Sequence, residues 1–416
     1  MDNSSQPTGS SLIENKDERE LAIYKKEAQS VITLKFLYDE DGFNTKIGQF
    51  KPEMAHQVFG ENESIFGYKS LEINLYYLHN SVKCYLDVQC SGKIENSKLE
   101  ADDITSTLDE WLPEAYVTDK VSFLKAMEHE THDKIYGKIL HEFTDKNEVA
   151  SFPNEKDIHP KYKISLVDVK DDQFIEFHKR FQTLIIWFID AANFIDLGDE
   201  RWMIFYIYEE FEHPKTKQIM ISPVGFCTIY KFYAYPDKIR PRISQFFILP
   251  THQRRGLGTK LYENVINYLR EQPEVVDITV EEPTATFQKI RDIVDCQYIY
   301  KNLDSHKFET EIQNQKKFNE YMRKNKLCKR QCQRIFDVLG CYKAKKCGPL
   351  KYNAFVETIK NRITNEIERE ARAGKRFCQI PGFTPEPTDT KSLVDSEYNN
   401  YLEDISPSVK YLVAHM

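Results

Sequence analysis

The chain contains no stretch of 18 or more apolar residues and no apolar N-terminal run, so neither a membrane span nor a secretory leader is expected. It carries no excess of cations: 57 Lys and Arg stand against 65 Asp and Glu, a formal charge of −8. Direct nucleic-acid binding needs clustered cations and is not expected, whereas a cationic peptide would suit an acidic protein. Paired Cys-x-x-Cys units are missing, and His306 is the only histidine between positions 253 and 413. The C-terminal cysteines Cys328, Cys332, Cys341, Cys347 and Cys378 therefore lack structural zinc spacing, and no metal is expected. Internal repeats, the G-x-x-x-x-G-K-[ST] loop and the G-x-G-x-x-G turn are all absent, which disfavours P-loop and dinucleotide folds.

Aromatic residues make up 13% of the chain, enough to exclude disorder for most of its 416 residues. Residues 1–16, rich in Ser, Asn and Gln, read as a disordered start. An N-terminal mixed α/β domain is expected over 17–150. A short helix from Glu18, a strand at Val31–Leu37 and a hairpin of Leu71–His79 with Val82–Val88 turned at Asn80-Ser81 are expected there. The polar segment Thr144–Asp157, with Pro153, marks a boundary. Over 151–303 the pattern is a helix at Asp171–Asp190, strands at Trp202–Tyr208, Val224–Tyr235 and Ile243–Leu249, a helix at Gly256–Arg270, a strand at Val275–Val280 and a helix at Thr286–Val294. That succession is α/β texture around one mixed sheet. Residues 304–416 read as charged helices (Asn314–Lys324, Lys329–Leu339, Val356–Arg372) closed by a Pro- and Asp-rich tail.

The most informative stretch joins the strand ending at Leu249-Pro250 to a helix with the apolar stripe Leu257, Leu261, Val265 and Leu269. Between them lies Gln253-Arg254-Arg255-Gly256-Leu257-Gly258. Glycines let backbone approach a ligand, free N–H groups at a helix start favour anions, and two arginines add positive charge. The chemistry is that of a pyrophosphate cradle.

Further on, Glu281 and Glu282 end a strand halted by Pro283, and Thr284 or Thr286 is the cap of the next helix. Neighbouring strand residues face opposite ways, so only one of the two acids can point at a given site. Transfer to a lysine amine, whose pKa is about 10.4, needs a base to take its proton, and a carboxylate so placed can do this.

Gln253 to Gly258 matches Q/R-x-x-G-x-G/A, the acetyl-CoA signature of the GNAT superfamily. Longer stretches resemble the type B histone acetyltransferases: the run His56 to Lys69, Trp187-Phe-Ile-Asp-Ala-Ala-Asn-Phe-Ile-Asp, Asp199-Glu-Arg-Trp, Tyr235-Pro-Asp-Lys-Ile-Arg-Pro-Arg-Ile-Ser-Gln and Asp277-Ile-Thr-Val-Glu-Glu-Pro. They occur in the family's order over roughly residues 20 to 340. The resemblance implies a GNAT mixed-sheet core between an N-terminal α/β domain and a C-terminal helical region. It implies acetyl transfer from acetyl-CoA to lysines of a histone tail, chiefly that of histone four. Glu281 corresponds to the family's principal base, with Glu282 and Asp190 as supporting acids. Asp190 stands where the family usually has glutamate, one methylene longer.

Cofactor contacts are implied at Phe246, Phe247 and Ile248, at Gln253, Arg254, Arg255, Gly256, Leu257, Gly258 and Thr259, and at Thr284 and Thr286. Tail contacts are implied at Glu61 and Glu63 and at Tyr230, Lys231 and Phe232. Trp202 is read equally as a wall of the lysine channel or as core. Without the resemblance, the acids at 61 and 63 read as a solvated loop and the Tyr/Phe run as a half-buried strand. A WD-repeat histone chaperone bound near Glu18–Gln29, and residence in cytoplasm and nucleus, are further implications. The alternatives are a GNAT enzyme acting on a non-histone amine and a non-catalytic module that holds acetyl-CoA or histone.

Overall fold

A computed structural model describes residues 21–95, 99–113, 115–303, 315–377 and 390–416. The expected disordered start 1–16 lies outside these residues. Two compact units form, Met1–Thr228 with Gln245–Leu257, and Ile229–Ser244 with Gly258–Met416.

In the first unit, β1 (Ile32–Leu37), β2 (Gln49–Phe50), β3 (Glu72–Leu78) and β4 (Cys84–Gln89) make a four-stranded sheet in the order β2-β1-β3-β4. The expected hairpin is β3 with β4, antiparallel from Glu72–Gln89 to Tyr77–Cys84. Its turn is fixed by the buried Glu130, whose Oε1 accepts from the backbone N–H of Asn80 at 3.2 Å. The helix expected from Glu18 is corrected in its described part. Leu21 and Ala22 are helical as expected, but the chain then turns: Lys25–Glu27 is extended and pairs antiparallel with Ser64–Phe66, and Ala28–Val31 is a separate helical turn.

α1 (Lys120–Glu128) leads to a second sheet of β5 (Lys138–Thr144), β6 (Lys161–Val167), β7 (Trp202–Glu212), β8 (Ile219–Ala234), β9 (Lys238–Ile248) and β10 (Thr279–Val280). Its order is β10-β9-β8-β7-β6-β5, with β9 and β10 parallel. α2 (Asp172–Gln182) starts at an Asp171 cap that accepts from Gln173 and Phe174 N–H, and it buries Phe174, Phe177 and Phe181. It ends earlier than the apolar pattern predicts. Thr183–Trp187 tightens into a 3-10 turn, and the Thr183 hydroxyl bonds the Arg180 carbonyl at 2.7 Å.

The second unit holds α3 (Leu257–Glu271, apart from its first residue), α4 (Ala285–Asn302), α5 (Gln315–Lys324), α6 (Lys329–Lys346), α7 (Pro349–Phe377) and α8 (Thr390–His415). The strand expected at Val275–Val280 is regular only at β10. Val276 N–H bonds Ile239 and Ile278 N–H bonds Lys326, and this change of partner interrupts the ladder. The expected terminal tail is corrected as well: 390–415 is helical, because Ile405, Val409 and Leu412 recur at helical spacing and are buried. Of the prolines behind that expectation, those at 381, 385 and 387 lie outside the described residues, and Pro407 lies within the helix.

Candidate active site

The turn predicted between strand and helix forms at the end of β9. Pro250–His252 is a 3-10 turn, and Gln253 folds back so that Nε2 donates to the Ile248 carbonyl at 3.1 Å. Arg254 then takes φ +62°, Gly256 takes φ +80°, and α3 begins. A β-carbon at Gly256 would meet nothing within 4 Å, so the backbone here faces open space. The opening N–H groups of α3, which include Leu257, Gly258 and Thr259, have no intrahelical acceptors by helix geometry and are suited to an anion.

The two arginines differ: Arg255 Nη1 is tied to the Glu148 carbonyl at 2.7 Å, whereas Arg254 is exposed. Leu257, Leu261, Val265 and Leu269 are all buried, as their spacing predicted. On β9, Phe247 and Ile248 are buried and Phe246 is half-buried. The Phe247 ring stacks on Phe188 at 5.5 Å, so that side chain belongs to the core and leaves only its backbone for a ligand.

One feature of this root escaped sequence reading. His252, just before Gln253, is buried with Nε2 3.2 Å from the Glu209 carboxylate, and Tyr162 donates to the same carboxylate at 2.9 Å. Nothing in the local pattern distinguishes Glu209 from half-buried Glu210 and exposed Glu212 beside it on β7.

Glu281 follows β10 directly. Its backbone N–H donates to the Ile243 carbonyl at 2.9 Å, and its Oε2 accepts from the Ser244 hydroxyl at 2.7 Å. β10 pairs with β9 at Arg242–Thr279 and Ile243–Val280, while β9 runs on to Ile248. Glu281 therefore sits at the point where the two parallel strands stop pairing. Glu282 turns away with φ +32°, so the two acids do not follow simple strand alternation. Thr284 is the cap: its hydroxyl accepts from Phe287 N–H at 3.3 Å, and Thr286 is exposed in the first turn of α4. Ser244 was also missed, although it lies within the stretch Arg-Pro-Arg-Ile-Ser-Gln. A serine on a strand has no periodicity to single it out.

In the first unit, Asp190, Glu63 and His56 come together. His56 Nε2 is 3.0 Å from Asp190 and its Nδ1 is 3.5 Å from Glu63. Asp190 remains 77% exposed, and the residue after it, Ala191, takes φ +51°. Glu63 is more constrained than a free tail-binding acid. Its Oε1 accepts from the backbone N–H groups of Ala55 (2.6 Å) and His56 (2.8 Å), and its Oε2 accepts from Gln29 Nε2 at 2.7 Å. The backbone bond from Ala55 leads the effects that lower its pKa. Glu61 is exposed, and Trp202 is half-buried at the start of β7. In the second unit, the Tyr230 and Phe232 rings meet edge to face at 4.7 Å, and Arg242 lies 4.7 Å over Phe232; Lys231 between them is half-buried. Among the described residues no group of three or more His, Cys, Asp and Glu is arranged to hold a metal. No helix there is long and apolar enough to cross a membrane.

Residues 24–190 match the family described as histone acetyl transferase HAT1 N-terminus. Residues 167–286 match the acetyltransferase (GNAT) family. The histone acetyltransferase type B catalytic subunit of Mus musculus is 33% identical over 384 residues, covering 89% of each chain. That of Homo sapiens is 33% identical over 381 residues, covering 89% of this chain and 88% of its own. The Candida albicans protein is 32% identical over 312 residues, covering 71% of each. The chain belongs to the type B histone acetyltransferase catalytic subunits. It is an acyltransferase on a GNAT fold with C-terminal helices. GNAT acetyltransferases use acetyl-CoA, and the open backbone at Gly256, the helix-start donors and exposed Arg254 suit its pyrophosphate. Buried Cys227, whose thiol is pushed up by burial, is unsuited to carry an acyl group.

Proposed function

We propose that the chain transfers acetyl from acetyl-CoA directly to lysines of a histone tail, chiefly that of histone four, within a ternary complex, with Glu281 as principal base. The observation that carries this reading is the Glu281 carboxylate, exposed, fixed by Ser244 and standing where β9 and β10 stop pairing. Acetyl-CoA supplies an activated thioester acyl group. The chain's part is to hold the pyrophosphate at Gln253–Thr259, to receive the amine proton at Glu281, directly or through water, and to pass it to solvent. A backbone N–H on β9 near Ile248 would steady the thioester oxygen. Backbone and side-chain contacts from Phe246 to Ile248, and the α4 start at Thr284 and Thr286, would complete the hold on the cofactor. Asp190, held on His56, and Glu282 would tune the charge felt by the incoming lysine.

Glu61, with Tyr230, Lys231, Phe232 and Trp202, would line the tail's path, the rings packing against aliphatic lysine stems. Glu63, with both oxygens engaged, would contribute field more than a direct contact. A WD-repeat histone chaperone, met near Glu18–Gln29, and residence in both cytoplasm and nucleus complete the reading. The histone name of the family's members supports the substrate class.

The test is acetyl transfer to histone-tail peptides by wild type and Glu281→Gln, with acetyl-CoA affinity measured alongside. The expected result is turnover on the histone-four tail that falls about 100-fold or more in the variant, with cofactor binding kept. Near-normal turnover in the variant would remove Glu281 as base. Cofactor binding without activity on any histone tail would remove the substrate assignment and leave a GNAT enzyme for another amine.

A further inference from the structure

Charge is segregated along the chain. Although the protein carries −8 overall, residues 316–351 hold twelve Lys and Arg and only two acids, Glu320 and Asp337. Some of these cations have structural work. Arg334 pairs with Asp292, Lys346 bonds the Tyr342 hydroxyl at 2.6 Å, and Lys345 lies over the Tyr352 ring at 4.9 Å. Those near the end of α6 also suit the negative pole of that helix.

The cations where α5 ends and α6 begins have no such role. Arg323, Lys324, Lys329 and Arg330 are exposed and in no ion pair among the described residues. Lys329 and Arg330 occupy the first turn of α6, where the helix pole is positive and acids are favoured, and no acid is present there. Helix stability therefore argues against them. The turn that gathers the four is compact: Leu327 N–H bonds the Met322 carbonyl at 3.2 Å, and Asn325 N–H bonds Met322 at 3.0 Å. It is fixed beside the sheet, because Ile278 N–H donates to the Lys326 carbonyl at 2.9 Å. Two further lysines approach from below. Lys326 bonds the Gln272 carbonyl and Lys238 the neighbouring Pro273 carbonyl; burial lowers the Lys326 pKa, Glu274 beside it opposes this, and repulsion from Lys238 adds a smaller lowering.

We infer that this basic corner, centred on Arg323, Lys324, Lys329 and Arg330, is a docking surface for an acidic, Asp/Glu-rich segment of a partner protein. A Lys/Arg-rich histone tail is excluded as its occupant by like charge. Nucleic acid fits less well. The neighbouring Phe318 and Met322 are buried and Tyr321 is half-buried, so little ring surface is offered for base stacking, and the net negative charge opposes a polyphosphate at longer range. A flexible carboxylate-rich peptide needs only the four free cations and the field of the two lysines beside them.

Full-length protein would be titrated with a short fluorescent polyglutamate peptide and, separately, a short DNA duplex, at low and near-physiological salt. The charge reversals Arg323→Glu/Lys324→Glu and Lys329→Glu/Arg330→Glu would be compared with Lys346→Glu/Lys351→Glu, at the far end of α6 and the start of α7. The expected result is salt-sensitive peptide binding, weakened about tenfold or more by either corner variant and little by the far-end variant, with acetyl transfer unchanged. Tighter binding of the duplex than of the peptide would overturn the acidic-protein occupant. Absence of binding to either probe, or equal weakening by the far-end variant, would overturn the surface itself.

Discussion

Around β7 the buried side chains are mainly rings, with Glu209 as a lone buried carboxylate. Phe174, Phe177, Phe181, Tyr206 and Phe226 pack with centroids 5.4 to 6.3 Å apart, and His178 is a buried polar group set among them. Around α6 the buried set instead includes three carboxylates, Asp292, Asp295 and Asp337, each no more than 2% exposed. Asp292 accepts from Arg334 Nε at 2.8 Å, Gln288 at 2.7 Å and Ser408 at 3.1 Å, partners drawn from α6, α4 and α8. Asp337 accepts from Arg362 at 2.7 Å and Tyr401 at 2.6 Å. Ring packing depends on area and shape and tolerates small shifts, whereas a buried carboxylate is satisfied only when each donor is in register. The charged core thereby fixes α4, the helix that starts just after Glu281 and Pro283. This gives the C-terminal helices a bearing on the position of the proposed base, which they do not touch.

The largest effect expected from breaking this contrast is in the charged core. Arg334→Met leaves Asp292 buried without its cation and should cost about 3–5 kcal/mol, read by urea denaturation. Adding Asp292→Leu should recover most of that loss, because the pair removed together leaves no stranded charge. A single-variant loss below about 1 kcal/mol would mean that the pair does not hold the helices. The ring core has its own weak point. His178 faces the Tyr206 hydroxyl with Nδ1 at 2.5 Å, and burial pushes its pKa from 6.5 to about 3. Below pH 6.5 the unfolded chain takes up a proton that the folded chain refuses, so stability falls as pH drops from 6.5 towards 3. The expected slope is about 1.4 kcal/mol per pH unit from this residue. His178→Phe should flatten the fall in Tm between pH 6.5 and 5, leaving what His79, also held near 3 by burial, contributes. An unchanged slope would show that His178 protonates without disturbing the rings.

The same contrast decided what the sequence could reveal. Phe174, Phe177 and Phe181 announce α2 by spacing alone, and Leu257, Leu261, Val265 and Leu269 announce α3, because one buried apolar face repeats with the helix. The turn before α3 was legible for a similar reason: Gln253 to Gly258 is a local motif whose conformation follows from its own residues. Arg334, Asp292 and Asp404 were not legible, since charged residues on a helix read as a solvated face until tertiary contacts bury them. The terminal helix was masked by prolines before and within it, and the strand expected from Val275 was over-read because its bonds switch between Ile239 and Lys326. Glu63 was read as a free acid because its partners, Gln29, Ala55 and His56, lie 34, 8 and 7 positions away.

Ser244 is the smallest and sharpest case, a neutral contact beside the proposed base in the unit otherwise organised by charge. Its hydroxyl donates to one Glu281 oxygen at 2.7 Å, which orients the carboxylate and leaves the other oxygen for an incoming amine or water. Ser244→Ala removes a hydrogen bond to a charged group worth about 1.5–3 kcal/mol at most, and the exposure of Glu281 lets water recover part of it. The expected outcome is a fall in kcat of about fivefold with an unchanged KM for acetyl-CoA. Ser244→Thr keeps the donor and should restore kcat. Failure of Ser244→Thr to restore it would mean that the serine supports the strand and not the base.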